Sequence, residues 1–165
     1  MNLPQRKTIR LKNFDYSKDC YYFITICCKD RLPLFGKVIN EEMILNEAGK
    51  FAEKCWMNIP KHFQNAIIHE FVIMPDHIHG IIELTIRAEN IQPRRVNQFQ
   101  KLIPGSIGSI VKGFKIGVTK WFRYNTKIEM VWQRNYYENV IRDQRAFDNI
   151  SKYIKDNPKN LHSKN

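Results

Sequence analysis

His77-Ile78-His79 is the part of this chain best equipped for chemistry. It lies in FVIMPDHIHGIIEL, residues 71–84, where apolar and β-branched flanks read as strand. Side chains two apart on a strand share a face, so the two imidazoles project side by side. Paired imidazoles can hold a divalent metal. Spacing alone favours two satisfied polar side chains in a sheet over a metal site. A second group sits near the C-terminus, where Tyr153 and Asn157 are four apart and share a helix face. A carboxamide oxygen is a hard ligand suited to Mg²⁺ or Mn²⁺. Read alone, Tyr153 is better taken as a boundary aromatic beside Phe147, Ile150 and Ile154, and Asn157 as a helix end before Pro158.

The rest of the chain must position these groups. Its 165 residues suit one domain, 1–165, with a real core. At 43% hydrophobic and 26% charged it has a globular composition. No apolar run approaches the roughly 20 residues of a membrane span. The start, MNLPQRKTIRLK, is basic without an apolar stretch behind it, so the expected compartment is the cytoplasm. A net charge of +11 favours a polyanionic partner, nucleic acid before membrane. Cys20, Cys27, Cys28 and Cys55 have neither zinc-site nor disulfide spacing.

Residues 1–14 read as a basic arm and 20–28, CYYFITICC, as a strong strand. KDRLPLFG reads as loop, and 41–57 as a helix whose apolar face is Ile44, Ala48, Phe51, Ala52 and Cys55. Strands follow at 65–74 and 76–84, with MPD as their turn. The polar stretch 85–105 is long for a compact domain, which marks it as functional or without fixed structure. A helix at 106–125, a strand at 131–141, and a helix from the Asp143 N-cap to Pro158 complete the order. The pattern β-α-β-β-α-β-α begins as a split βαβ, ferredoxin-like unit. It predicts an α+β fold: an antiparallel four-stranded sheet, helices on one face, and an extra C-terminal helix carrying Tyr153.

Five blocks in order carry a wider resemblance: RKTIRLKNFDYSKDCYYFITICCKDRLPLFG, MPDHIHGII, GSIGSIVKGFKIGVTKW, VWQRNYYENVIRD and YIKDNP. With them the chain resembles the REP-associated tyrosine transposases, relatives of the single-tyrosine transposases of the HUH endonuclease superfamily. The likeness implies that His77 and His79 bind a metal, that Asn157 is a third ligand, and that Tyr153 is the nucleophile. It implies a metal-dependent single-stranded DNA nickase and strand transferase. Its substrate would be DNA hairpins and palindromes, its intermediate a 5′-phosphotyrosine, and its cofactor Mg²⁺ or Mn²⁺. A monomer and a homodimer both fit.

Tyr136 and Tyr137 are rivals for the nucleophile, although on a strand they point to opposite faces. His69 or Glu70 could approach the pair from the neighbouring strand, a structural role being the better fit, and Asp76 could orient an imidazole. His62 and His162 read as surface residues. Expected DNA contacts are Arg6, Lys7, Arg10 and Lys12 on the arm and Lys112 and Lys115 on the second helix, with Tyr21, Tyr22, Tyr136 and Tyr137 available to stack on bases. Two other readings fit parts of the pattern: a non-catalytic single-stranded nucleic-acid binder on an RRM-like sheet, and a metal-dependent phosphodiester hydrolase using water.

Overall fold

A computed structural model describes residues 20–85 and 104–161. The basic arm with Arg6, Lys7, Arg10 and Lys12, most of the polar stretch after residue 85, and His162 lie outside the described residues.

Strand β1, Cys20–Cys27, alternates through Ile26 because it is a central strand with a different layer on each face. Cys20, Tyr22, Ile24 and Ile26 enter the larger core, whereas Tyr21 and Phe23 pack on the other side. A 3₁₀ turn at Lys29–Arg31 follows. A small hairpin then forms from β2, Gly36–Ile39, and β3, Glu42–Leu45. Its tip, Asn40 and Glu41, has positive φ at both positions, 49° and 65°, as a two-residue hairpin turn requires.

This hairpin corrects the helix read over 41–57. Helix α1 spans only Glu47–Met57 and starts where the Asn46 side chain accepts the Gly49 amide. Ile44, assigned to the helix face, is an exposed strand residue. The N-cap and the hairpin turn together outweigh the helical spacing of the apolar residues. A short α2, Ile59–His62, leads to β4, Ala66–Ile73, and β5, His77–Leu84. The turn between β4 and β5 closes through the Met74 amide on the His77 carbonyl, 2.8 Å.

Helix α3, Ile107–Asn125, is capped by Ser106 and buries Ile107, Ile110, Val111, Phe114, Val118 and Phe122. Strand β6 is shorter than the expected 131–141: it runs over Tyr137–Ile141, and Trp132 makes only an isolated bridge to Cys28. Helix α4, Gln144–Lys155, begins where Asp143 accepts the Ala146 amide at 2.8 Å. Pro158 does not end the helical path as expected. Asp156 breaks it, and a further turn, α5, Asn157–Asn160, starts with the proline in its first positions, where a missing N–H costs nothing.

The sheet order is β4-β5-β1-β6, antiparallel throughout. That is the ferredoxin-like arrangement expected, with β2–β3 as an appended hairpin. The main core lies on one face, where Trp56, Phe35, Phe122, Ile24, Ile26, Ile78, Ile82, Ile110 and Val118 are fully buried. Each such isoleucine contributes about 1.5–3 kcal/mol relative to exposure. Gly80 allows the closest approach in this layer: a Cβ there would lie 2.3 Å from Trp56 Cζ2. The extra helix α4 covers the opposite face, with Ile154 and its neighbours on Ile81 and Ile141. No helix among the described residues is long and apolar enough to cross a membrane.

Candidate functional site

The pleat of β5 sends Ile78 and Ile82 into the main core and leaves His77, His79 and Ile81 for the α4 face. Among the described residues the buried polar or charged side chains are His77, His79 and Asn157, at 6%, 7% and 6% exposure. These are the three groups that the sequence offered as ligands.

The imidazoles lie edge to face with ring centroids 4.5 Å apart. His77 Nδ1 is 2.6 Å from Asp76 Oδ1. An ionised carboxylate only accepts, so Nδ1 carries a proton, and in the neutral ring Nε2 keeps its lone pair. His79 Nδ1 is 2.8 Å from Thr25 Oγ1, supplied by the paired position on β1. Phe23 stacks on the same ring, centroids 5.3 Å apart. Burial first, then the neighbouring charges of His77 and Arg31, lower the His79 pKa to about 3 against the pull of Asp76. The ring is therefore neutral at ordinary pH and able to donate a lone pair. Burial would raise the Asp76 carboxyl, but the His77 hydrogen bond and the charges of His77 and Arg31 hold it below its ordinary value.

Helix α4 reaches this pair from its own chain. Phe147 meets Tyr21 and His69 edge-on, and Lys155 Nζ pairs with Glu70 Oε1 at 3.0 Å. Tyr153 Oη then lies 3.4 Å from His79 Nε2, with the phenol ring edge-on to Phe23 and His79. That distance is long for a hydrogen bond. Tyr153 as a residue is 46% exposed, so it borders solvent.

The other candidates are elsewhere or engaged. A β-bulge between Ile68 and Phe71 places two residues against one on β5, and His69 pairs with Glu83 at 2.8 Å while Glu70 pairs with Lys155. Tyr136 packs on the main core, and its phenol donates to Glu138 Oε2 at 2.9 Å. Burial and Glu138 raise its pKa, which disfavours a phenolate. Tyr137 is exposed and shares the row Val72, His79, Thr25, Tyr137 across the sheet. His62 is exposed, as read from sequence.

Lys112 and Lys115 belong to α3, on the face opposite the histidines. Lys112 is exposed, but Lys115 Nζ donates to the Gln133 and Asn135 carbonyls at 2.9 and 3.0 Å, and burial lowers its pKa. Both line a groove of about 670 Å³ with Lys120, Arg123, Arg134 and Tyr124. The thiols are free, and burial pushes Cys28 up to about 12.

Sequence reasoning missed Thr25 and Phe23. Their part depends on the cross-strand register of β1 with β5, which no local pattern encodes. It also missed Arg31, whose Nε donates to Asp76 Oδ2 at 2.8 Å from a loop read as plain connection.

The imidazoles of His77 and His79 and the carboxamide of Asn157, buried at the start of α5, are nitrogen and oxygen donors of types that suit a divalent cation. Among the described residues no group of three or more His, Cys, Asp or Glu could hold a metal.

The architecture comes first: the chain has a ferredoxin-like α+β fold with an added C-terminal helix across the other face of the sheet. It shares its fold with a structure of the REP-associated tyrosine transposase bound to a REP hairpin, at a TM-score of 0.62 and 17% identity, covering 93% of this chain and 74% of that one. In sequence it is also similar to a relative named for that group. It is 26% identical over 148 residues to the Haemophilus influenzae "Putative REP-associated tyrosine transposase", covering 87% of this chain and 73% of the relative. It is also 48% identical over 161 residues to an uncharacterized protein of Haemophilus influenzae, covering 94% of this chain and 89% of that protein. No family model matches the chain.

Proposed function

We propose that this protein is a metal-dependent single-stranded DNA nickase and strand transferase, acting on hairpin or palindromic DNA. The observation that carries the reading is the meeting of His77, His79 and Tyr153, two strand imidazoles and a helix phenol, on one face of the sheet. The named relatives, one of them held on a hairpin, support DNA as the substrate.

In this reading His77, His79 and Asn157 hold Mg²⁺ or Mn²⁺. Once bound, the ion would neutralise charge on the nonbridging oxygens of a phosphodiester. Tyr153 Oη attacks phosphorus, the new P–O bond to tyrosine forms, and the P–O3′ bond breaks. The phenol proton leaves to water, to which Tyr153 is open, and the departing 3′ oxygen takes up a proton. The products are a 5′-phosphotyrosine and a free 3′-OH. Because the covalent link conserves the cleaved bond, a second 3′-OH can displace the tyrosine and reseal a strand without a nucleotide cofactor. Phe23 and Phe147 hold the helix and imidazole in register, and Thr25 and Asp76 hold the rings. The basic groove beside α3, with Lys112, Lys120, Arg123 and Arg134, is suited to a phosphate backbone. Lys115 contributes by shaping that groove rather than as a free cation.

The test is a denaturing gel of the protein incubated with a labelled single-stranded hairpin oligonucleotide and Mn²⁺. A protein–DNA adduct that is lost with EDTA and lost in Tyr153→Phe supports the reading. Cleavage with no adduct would point instead to a hydrolase using water, and binding with no cleavage to a non-catalytic single-strand binder.

A further inference from the structure

We propose that Arg31 is a positioning residue for His77, acting through Asp76. Its metal-binding consequence rests on the reading above, but its effect on His77 does not.

Asp76 divides its two oxygens between two partners. Oδ1 receives His77 Nδ1 at 2.6 Å, and Oδ2 receives Arg31 Nε at 2.8 Å. A second guanidinium nitrogen, Nη1, donates to Cys27 Sγ at 3.1 Å, and Cys27 is the β1 residue paired with His77. The planar guanidinium thus spans a carboxylate and a thiol that flank one imidazole, a geometry that the single ammonium of lysine does not reproduce. A carboxylate fixed at both oxygens cannot turn away from the ring, so Nδ1 remains the protonated nitrogen and Nε2 the free one.

The backbone is organised around this contact. Asp30 and Arg31 both have left-handed φ, 53° and 57°, without being glycine. Such residues cost energy and persist where surrounding structure holds them. The loop is held against the β4–β5 turn at two points: the Cys28 amide on the Asp76 carbonyl, 2.8 Å, and the Phe35 amide on the Pro75 carbonyl, 3.0 Å. Two adjacent left-handed residues between those points aim the Arg31 side chain at the turn that begins the histidine strand.

The experiment uses the whole chain, ¹⁵N-labelled and free of metal. Long-range ¹H–¹⁵N spectra assign the His77 ring with His77→Gln as the reference. Wild type is expected to show one tautomer, Nδ1 protonated. In Arg31→Gln the His77 nitrogens shift toward a mixture of tautomers, and Arg31→Lys is intermediate. Calorimetric titration with Mn²⁺ follows on the same proteins, each with its melting temperature recorded. Loss of such a supporting partner weakens metal binding roughly 10- to 100-fold, expected for Asp76→Asn, with about 3- to 10-fold for Arg31→Gln. An unchanged His77 tautomer in folded Arg31→Gln overturns the proposal, and so does weaker DNA binding with tautomer and Mn²⁺ affinity both intact, which would make Arg31 a phosphate contact. If wild type binds no Mn²⁺, the metal reading fails, while the tautomer comparison still decides the role of Arg31.

Discussion

His79 is the residue on which the site turns. It is held between Thr25, Phe23 and His77, faces Tyr153, and stays neutral because burial depresses its pKa to about 3. Its folded pKa lies below its unfolded value of 6.5, so the unfolded chain binds more protons as pH falls. The His79 contribution is therefore fully present above about pH 6.5 and is lost progressively toward pH 3. At about 1.4 kcal/mol per pKa unit, urea denaturation should show a stability loss of a few kcal/mol between pH 7.5 and pH 4.5. Replacing the ring in His79→Asn should flatten that dependence, and an equally steep profile in the variant would show that other groups set it. Tyr153 has the opposite character. It is half-exposed and makes one long contact, so Tyr153→Phe should alter the melting temperature by no more than about 2 °C, as expected of a surface change within roughly 0.5 kcal/mol.

At the scale of elements, the site is a strand and a helix brought face to face. Gly80 follows His79 and lets Trp56 press on the back of β5. Gly80→Ala should destabilise the fold by about 1–3 kcal/mol through overpacking, measured by chemical denaturation. Stability equal to wild type would mean that Trp56 can move away without cost. Asp143 caps α4. Asp143→Ala should cost about 1 kcal/mol and loosen the helix that carries Tyr153, read as faster amide exchange across 144–155. The sequence made much of this legible. The strands β1 and β5, the Asp143 cap and the Pro75 turn are local signals, and each falls where the pattern puts it. The β2–β3 hairpin was hidden because Glu42–Leu45 carries apolar residues at a spacing that also suits a helix; the turn at Asn40 and Glu41 decided the matter. The helical path past Pro158 was hidden because proline both ends helices and begins them. Thr25, Phe23 and Arg31 were illegible for another reason: each reaches the histidines through pairing of segments far apart in sequence.

For the whole molecule, the fold puts the two halves of the candidate site on one chain. The sheet of β4-β5-β1-β6 carries the imidazoles, and α4 folds back across it, held by Phe147, Ile154 and the Lys155–Glu70 pair. A tyrosine acting on its own chain's histidines cannot be rescued by a second copy. Mixing Tyr153→Phe with His79→Ala should therefore yield no cleavage, whereas restored cleavage would show exchange of α4 between copies. The basic groove lies on the far side of the sheet, so Lys112→Ala and Lys120→Ala should weaken DNA binding and reduce its salt dependence by about one counterion each while leaving Mn²⁺ affinity unchanged. The most direct test of the central claim is to map the covalent link itself. Wild-type protein is incubated with a hairpin oligonucleotide and Mn²⁺, the adduct is digested, and the phosphorylated residue is located by mass spectrometry. The account predicts phosphate on Tyr153 Oη. Phosphate on Tyr136 or Tyr137, or cleaved DNA with no phosphotyrosine anywhere in the chain, would contradict it.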